Sequence, residues 1–384
     1  MIRETKQSRS ILRRGRGASR GSSGSASRVL SLSLTVLATA ALMAPAAATA
    51  ASTGLPPIRH VWVIVLENKE FAEWYGVGRT FNPYLTQTLP SQGALIPNYF
   101  GIGHSSADNY IGMVSGQPPT SDSKNDCPDP MNTQPATADA NGVAPGNGCV
   151  YPPNYLTIGD QLTAHGLTWK AYAQNIPSPC FPGHDAPGSY ERKHNPFPLF
   201  QSDVTSGDCA KDDVPLTDLS ADLATPATTA NVNYIFPDEC DDGHSDCTNT
   251  NPVPGLGAEA DEMGQYDTFL QKYVPMITSA PAFKHGLLVI TFDEGYDPFG
   301  CCGEPAQDPD GSYPGGEAGS PGTGGGQVGA VAISPFIVPG TRTISQYNHY
   351  SLLASIENLF NLPHLGEARL PGTTTFGSDL YTKP

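Results

Sequence analysis

Basic side chains are scarce in this 384-residue chain: Lys and Arg number 21 against 37 Asp and Glu, a formal charge of −16 at pH 7. Eight of the basic residues but one acid fall in residues 1–50, so the remainder carries 13 bases against 36 acids, about −23. A surface of that sign does not attract nucleic acid or anionic lipid, and a phosphate ligand needs local positive charge from Lys, Arg, His or metal. Long apolar runs are also missing. The stretch Val29–Ala44 falls short of the ~20 residues that span a bilayer, and no later segment could cross one. No internal repeat is visible.

What is present begins with a leader. Residues 1–28 mix Arg and Lys with Ser and Gly, an apolar run follows, and Ala48-Thr49-Ala50 has the A-x-A form. This pattern predicts a secretory signal peptide over 1–50, cleaved near Ala50, and a secreted mature chain with no membrane anchor. Arg13 and Arg14 are adjacent, but the apolar run starts too far downstream for a twin-arginine signal. The eight cysteines fit export, because an even count in an oxidising compartment favours disulfides over thiolate metal sites. Cys240 and Cys247 bracket a short loop and are expected to pair. Closeness in sequence suggests Cys127 with Cys149 and Cys180 with Cys209, while Cys301 and Cys302 could join each other or distant partners.

Residues 51–384 read as one α/β domain. Val61–Leu66 is a β-branched apolar run suited to a strand buried on both faces of a parallel sheet. A helix is expected near Asn82–Leu89, then a short strand and the segment GIGHSSADNYIGMVSG, 101–116. Residues 117–154, rich in Pro, Gly, Asn and Asp, form a stapled excursion. LTIGDQLTAHG reads as a helix closed by Gly166, LTWKAYAQ as a strand, and 177–215 as a second excursion. A strand over Val232–Phe236 runs into PDECDDGHSDC. A helix from about Ala258 to Thr278, a strand over Leu287–Phe292, a Gly-rich loop, the strand VGAVAISPFI and the helix YSLLASIENLF, ended by Pro363, complete the order. Alternation of this kind implies a central, mostly parallel sheet with helices on both faces and disulfide-stapled loops.

The chemistry-bearing residues cluster at expected strand ends. Glu67-Asn68 closes the first strand and Asp293-Glu294-Gly295 closes LLVITF, 287–292. Ligands bind at the carboxyl ends of strands in open α/β sheets, and these side chains offer hard oxygens to a metal, unless they are solvated strand ends or helix caps. Ser106 precedes Asn109 by three in a Gly-flanked turn. At a helix start its hydroxyl meets free N–H groups and a dipole that favour an anion, or it is an ordinary N-cap. Asn109 could donate to a phosphoryl oxygen, and His104 could touch a leaving group or merely pack. Asp238, Asp242 and His244 suit a metal or phosphate site, or a solvated acidic turn. His349, at the start of the last helix, and the cationic Lys193-His194 pair read by themselves first as surface residues.

Together these segments resemble the alkaline phosphatase superfamily, and within it the bacterial phosphoesterase family of phospholipase C-type enzymes and secreted acid phosphatases. The resemblance rests on Glu-Asn at 67–68, HSSADNYIGMVSG, TFDEG, PDECDDGHSDC and YNHYSLLASIENLFNLPHLG, and runs from His60 to about Gly366. YERKHNPF is similar to a segment of mycobacterial-type secreted acid phosphatases. It implies a divalent cation (Ca, Mg, Mn or Zn) on Glu67, Asn68, Asp293 and Glu294, and Ser106 as a phosphorylated nucleophile. Lys193 and His194 would lie near the substrate phosphate, with His104 and Asn109 beside them. A second metal or phosphate site is implied at Asp238, Asp242, His244 and His349. The implied substrate is a small-molecule or lipid phosphate ester, first a monoester as for an acid or phosphoinositide phosphatase, otherwise a phospholipid diester; no protein partner is implied. A non-catalytic calcium-binding extracellular domain is the rival of another class, and it has no need of Ser106 with Asn109.

Overall fold

The strand β1, His60–Leu66, is the axis of the molecule, and all seven of its residues are buried. Its β-branched side chains suit a strand covered on both faces, which a parallel neighbour on either side requires. The computed structural model describes residues 54–183, 190–245, 247, 259–305 and 324–383; the expected leader, 1–50, lies outside them. Contacts group Ser52–Pro384 as a compact unit.

The other strands are β2 Ala94–Ile96, β3 Tyr99–Phe100, β4 Trp169–Ala173, β5 Asp213–Pro215, β6 Val232–Phe236, β7 Gly286–Phe292, β8 Ala330–Ile333, β9 Thr341–Arg342 and β10 Tyr347–Asn348. Eight form one sheet in the order β5-β4-β6-β1-β7-β8-β2-β9, and β3 pairs with β10 separately. From β5 through β7 every pairing is parallel. The exception is β8, which runs antiparallel to both β7 and β2. The sheet is thus mostly parallel and flanked by helices.

Local sequence accounts for the helix ends. Ile158–Ala164 starts from Thr157, whose Oγ1 accepts from the Gly159 and Asp160 N–H groups while the Asp160 side chain returns a bond to the Thr157 N–H. Gly166 follows at φ +70. The last helix, His349–Phe360, ends at Asn361, which takes the left-handed conformation at φ +55. The stop is therefore Asn361 rather than Pro363, because Asn tolerates that conformation and lets its N–H reach back to Glu357 and Asn358. The helical stretch expected near 82–89 lies at Tyr84–Gln92, and the later one runs Glu259–Thr278.

The cysteines pair as Cys127–Cys149, Cys180–Cys209, Cys240–Cys247 and Cys301–Cys302. The first two staple the excursions, of which the second is more regular than its sequence suggests, with helices at Gln201–Ser206 and Asp208–Asp212 and the sheet strand β5 at its end.

Candidate active site

Three neighbouring parallel strands, β6, β1 and β7, deliver acids to one edge of the sheet. Asp242 follows β6, Glu67 and Asn68 follow β1, and Asp293 and Glu294 follow β7. The pairing continues past the strands: the Glu67 N–H donates to the Asp242 carbonyl at 2.9 Å and the Asp293 N–H to the Leu66 carbonyl at 2.9 Å. Asn68 sits at φ +55, a conformation Asn accepts more readily than most residues. There its N–H donates to Asp293 Oδ1 at 2.9 Å, and the Glu294 N–H donates to the same oxygen at 2.7 Å.

Ser106 arrives from across the sheet on the helix Ser106–Ser115. The approach needs glycine at residue 101, where a Cβ would lie 2.7 Å from the Asp293 carbonyl oxygen and 2.6 Å from that of Gly325. The turn that follows is shaped by Asn109. Its Oδ1 accepts from the Ile102 and Gly103 N–H groups at 2.8 and 3.2 Å, and its Nδ2 donates to the Gly103 and Ser105 carbonyls at 2.9 and 3.0 Å. Both amide hydrogens are thus spent on the turn, so Asn109 places Ser106 rather than reaching a phosphoryl oxygen. Ser105, not Ser106, holds the cap position, and its hydroxyl bonds to the Lys124 carbonyl. The Ser106 hydroxyl turns away from its own helix and donates to Glu67 Oε1 at 2.7 Å.

An ammonium and an imidazole converge on that same oxygen. Lys193 Nζ lies 3.2 Å from Glu67 Oε1 and His194 Nε2 3.0 Å, while His194 Nδ1 lies 3.4 Å from Asp242 Oδ2. Although burial opposes ionisation, His194 and Lys193 hold the Glu67 carboxyl well below its usual range. Burial works against the Lys193 charge too, yet Glu67 and Asp126 raise its pKa. Elsewhere desolvation wins. Burial and the Glu67 charge push Asp293 up to about 7, against His194 and its two backbone donors. Asp242 is pushed up by burial and Glu67, and Glu294 by burial and Asp293.

Glu67 Oε2, Asn68 Oδ1, Asp293 Oδ2 and Glu294 Oε2 are buried without a hydrogen-bond partner, and Asp242 Oδ2 has His194 Nδ1 at 3.4 Å. Unpaired buried acceptors cost free energy, and a group of hard oxygens on neighbouring strand ends fits a divalent cation. Glu67, His194 and Asp242 offer ligand atoms within 4.8 Å of one another. Asp242, assigned by sequence to a second site, therefore belongs with Glu67.

Its companions in that assignment do other things. Asp238 Oδ1 accepts from the Cys240 and Asp241 N–H groups and its Oδ2 from Asn175 Nδ2, so it braces the turn. His244 is exposed, with its N–H on Asp242 Oδ1 and its ring against Ser245 Oγ. His349 is buried with both ring nitrogens engaged, Nε2 donating to the Asp293 carbonyl at 2.6 Å and Nδ1 meeting the Tyr99 hydroxyl at 3.2 Å. Burial lowers its pKa to about 4, so it is a neutral brace behind Asp293. His104 is half-buried and donates from Nδ1 to the Gly295 carbonyl at 2.8 Å.

Two contributors escaped the sequence reading. The Tyr110 ring stacks on His194, with centroids 5.0 Å apart and planes 21° from parallel. Its hydroxyl is buried without a hydrogen-bond partner, and burial plus the charges of Asp293, Glu67, Asp242 and Glu294 raise its pKa well above the ordinary phenol. Its position four residues after Ser106, on the same helix face, was the available signal. Arg192 is buried, pairs with Asp129 Oδ1 at 3.1 Å and bonds to the Cys127 carbonyl. It ties the stapled excursion to the segment that carries Lys193 and His194.

The relatives found by sequence bear the names of phosphatases. The chain is 24% identical over 287 residues to a protein of Aspergillus fumigatus named acid phosphatase, covering 72% of this chain and 51% of that one. It is 24% identical over 320 residues to the phosphatidylinositol-3-phosphatase of Mycobacterium tuberculosis, covering 83% and 82%. It is 27% identical over 285 residues to the phosphate-repressible acid phosphatase of Penicillium chrysogenum, covering 72% and 54%. The match thus spans about half the length of the two fungal relatives. A solved structure from Vibrio parahaemolyticus, described as a protein in the alkaline phosphatase superfamily, superposes with a TM-score of 0.47 at 12% identity, covering 82% of this chain and 70% of that one. The model of the Phosphoesterase family matches residues 83–363, and the chain belongs to that family.

Proposed function

We propose that the chain is an exported, metal-dependent phosphomonoesterase in which Ser106 is transiently phosphorylated. The observation that carries this reading is the Ser106 hydroxyl on Glu67 Oε1 at 2.7 Å, with Lys193 and His194 on the same oxygen. A serine serving only its helix would bond its own N–H groups. A purely cation-binding module would not bring a hydroxyl, a lysine and a histidine onto a buried carboxylate.

In the first half-reaction Ser106 Oγ, oriented by Glu67 Oε1, loses its proton to water and attacks phosphorus, so that the Oγ–P bond forms as the ester P–O bond breaks. The departing oxygen takes a proton from water and leaves as the alcohol. In the second, water breaks the Oγ–P bond, phosphate leaves, and Ser106 regains its proton. Lys193 and His194 stand where negative charge on the phosphoryl oxygens needs partners. Asn109 keeps the nucleophile on its turn, and the stack of Tyr110 keeps His194 facing Glu67 and Asp242. A divalent cation on Glu67, Asn68, Asp293 and Glu294, with Asp242 beside them, would supply Lewis-acid screening of the phosphoryl charge and lower the pKa of the serine hydroxyl.

The names acid phosphatase and phosphatidylinositol-3-phosphatase borne by relatives support a monoester. Four disulfides, and no helix among the described residues able to cross a membrane, support an extracellular site of action. The test is hydrolysis of 4-nitrophenyl phosphate and bis(4-nitrophenyl) phosphate with and without chelator. Turnover of the monoester that chelation abolishes is expected. Preference for the diester, or full activity after chelation, overturns the corresponding part of the reading.

A further inference from the structure

Aromatic side chains are concealed almost everywhere in this protein. Among the described residues, the Phe, Tyr and Trp side chains are buried or half-buried except for two, Tyr296 at 67% exposure and Phe299 at 59%. Both lie on the loop that leaves the acid cluster, three and six residues beyond Asp293. A chain that hides its other described rings has left two on the loop beside its acid cluster.

These rings are exposed but not loose. The Tyr296 N–H donates to Glu70 Oε1 at 3.1 Å, and its hydroxyl donates to the Asn68 carbonyl at 3.2 Å. Asn68 is itself one of the residues that offers a buried oxygen to the cluster, so the phenol ring is fastened beside it. The Gly295 N–H donates to the Gly325 carbonyl at 2.7 Å, the Phe299 N–H to Asp297 Oδ1 at 3.1 Å, and the Gly326 N–H to the Phe299 carbonyl at 2.9 Å. His104, two residues before Ser106, donates to the Gly295 carbonyl. One loop therefore connects the nucleophile turn, the metal-type oxygens and two solvent-facing rings. Holding a ring in place before a ligand arrives removes much of the ordering cost of binding.

We propose that Tyr296 and Phe299 form the leaving-group subsite and that the enzyme selects phosphomonoesters whose departing group carries an aromatic ring, an inference that rests on the hydrolase reading above. Lys193, His194 and the cation that the buried oxygens would hold take the phosphoryl group, and the ester's other end is carried outward past the loop. A planar apolar group there covers ring surface that otherwise faces water and stacks on a face already in position. Charge argues against a second anionic group in the same place. Glu70 and Asp297 flank the rings, and the whole chain carries −16. The same charge disfavours seating the rings in an anionic bilayer.

Benzyl and ethyl phosphate test this, because their alcohols are of similar acidity and the ring is the main difference. The quantity is the ratio of kcat/KM for benzyl over ethyl ester in the wild type, Tyr296→Ala, Tyr296→Phe and Phe299→Ala. Each Ala variant should lower the ratio about fivefold, through KM, the scale of one lost aromatic pair. Tyr296→Phe keeps the ring but loses the hydroxyl bond to the Asn68 carbonyl, so it should lower the ratio by less than Tyr296→Ala does. Binding of benzylphosphonate and ethylphosphonate, which cannot turn over, reads the same preference by calorimetry. An unchanged binding ratio in both Ala variants overturns the subsite, as does an equal loss in Tyr296→Phe and Tyr296→Ala. Wild-type protein that shows the binding preference but hydrolyses neither ester would overturn the hydrolase reading alone.

Discussion

Replacing Ser106 by Ala separates a chemical role from a structural one. The side chain is buried, with a hydroxyl bond to Glu67 Oε1. Removing a bond to a charged acceptor costs ~1.5–3 kcal/mol when the acceptor is left bare. Here Glu67 Oε1 keeps Lys193 Nζ at 3.2 Å and His194 Nε2 at 3.0 Å, so the loss should be nearer ~1 kcal/mol. Ser106 is not the cap of its helix, and Ala is at home in a first turn, so the ~1 kcal/mol of a lost N-cap does not arise. The expected melting shift is a few degrees at most. Turnover is another matter, since nothing else on the turn supplies an oxygen at that point. A fall of at least ~10³-fold is expected, equivalent to ~4 kcal/mol of barrier. The assay is rapid acid quench with ³²P-labelled monoester, peptide mapping of the label, and steady-state turnover beside a thermal melt. Label on a residue other than Ser106, or undiminished turnover by Ser106→Ala, would refute the assignment.

Three further outcomes follow from particular contacts. Asp293→Asn keeps an oxygen for the Asn68 and Glu294 N–H groups but removes a buried charge; metal retained after dialysis should fall at least several-fold by elemental analysis, and wild-type metal content would count against the site. Tyr110→Phe keeps the stack on His194 and deletes a buried hydroxyl without a partner, so chemical denaturation should show stability unchanged or raised by up to ~1 kcal/mol; a loss above that range would mean the hydroxyl has a partner in solution. Glu357, fully buried on the last helix, is pushed from 4.5 up to about 9 by burial, against its Leu365 N–H bond and Arg369. The folded state then holds this proton more tightly than the unfolded chain, so its contribution is most favourable below pH 4.5, declines as pH rises towards about 9, and is level above. Glu357→Gln should remove a slope of up to ~1.4 kcal/mol per pH unit from urea midpoints measured between pH 5 and 8. Parallel pH profiles for the two proteins would exclude the buried neutral carboxyl.

How much was legible in advance differs from residue to residue. Val61–Leu66 and Leu287–Phe292 announced themselves as buried strands ending in acids because a β-branched apolar run is a local property, and β1 and β7 cover both segments. The short interval from Cys240 to Cys247 likewise limits what either cysteine can reach, and the two pair. Asn109 was chosen for the right neighbourhood but serves a different purpose there. Its spacing from Ser106 is a sequence fact, whereas the four bonds that occupy its amide exist only once the turn has closed. His349 failed similarly, because a histidine at a helix start looks open until Tyr99 and the Asp293 carbonyl are seen to use both nitrogens.

By itself the sequence determined the two long buried strands, the acids at their ends and a helix that begins at a serine, since each depends on periodicity and residue type over a few positions. Tertiary structure alone decided that β6, β1 and β7 are neighbours. That order puts Asp242 beside Glu67, 175 positions earlier, and it brings Lys193, His194 and Ser106 onto one carboxylate oxygen. The reason is physical: a strand's pattern says which faces are buried but not which strand lies alongside. Neighbours are chosen by crossover connections and by packing between segments far apart in the chain.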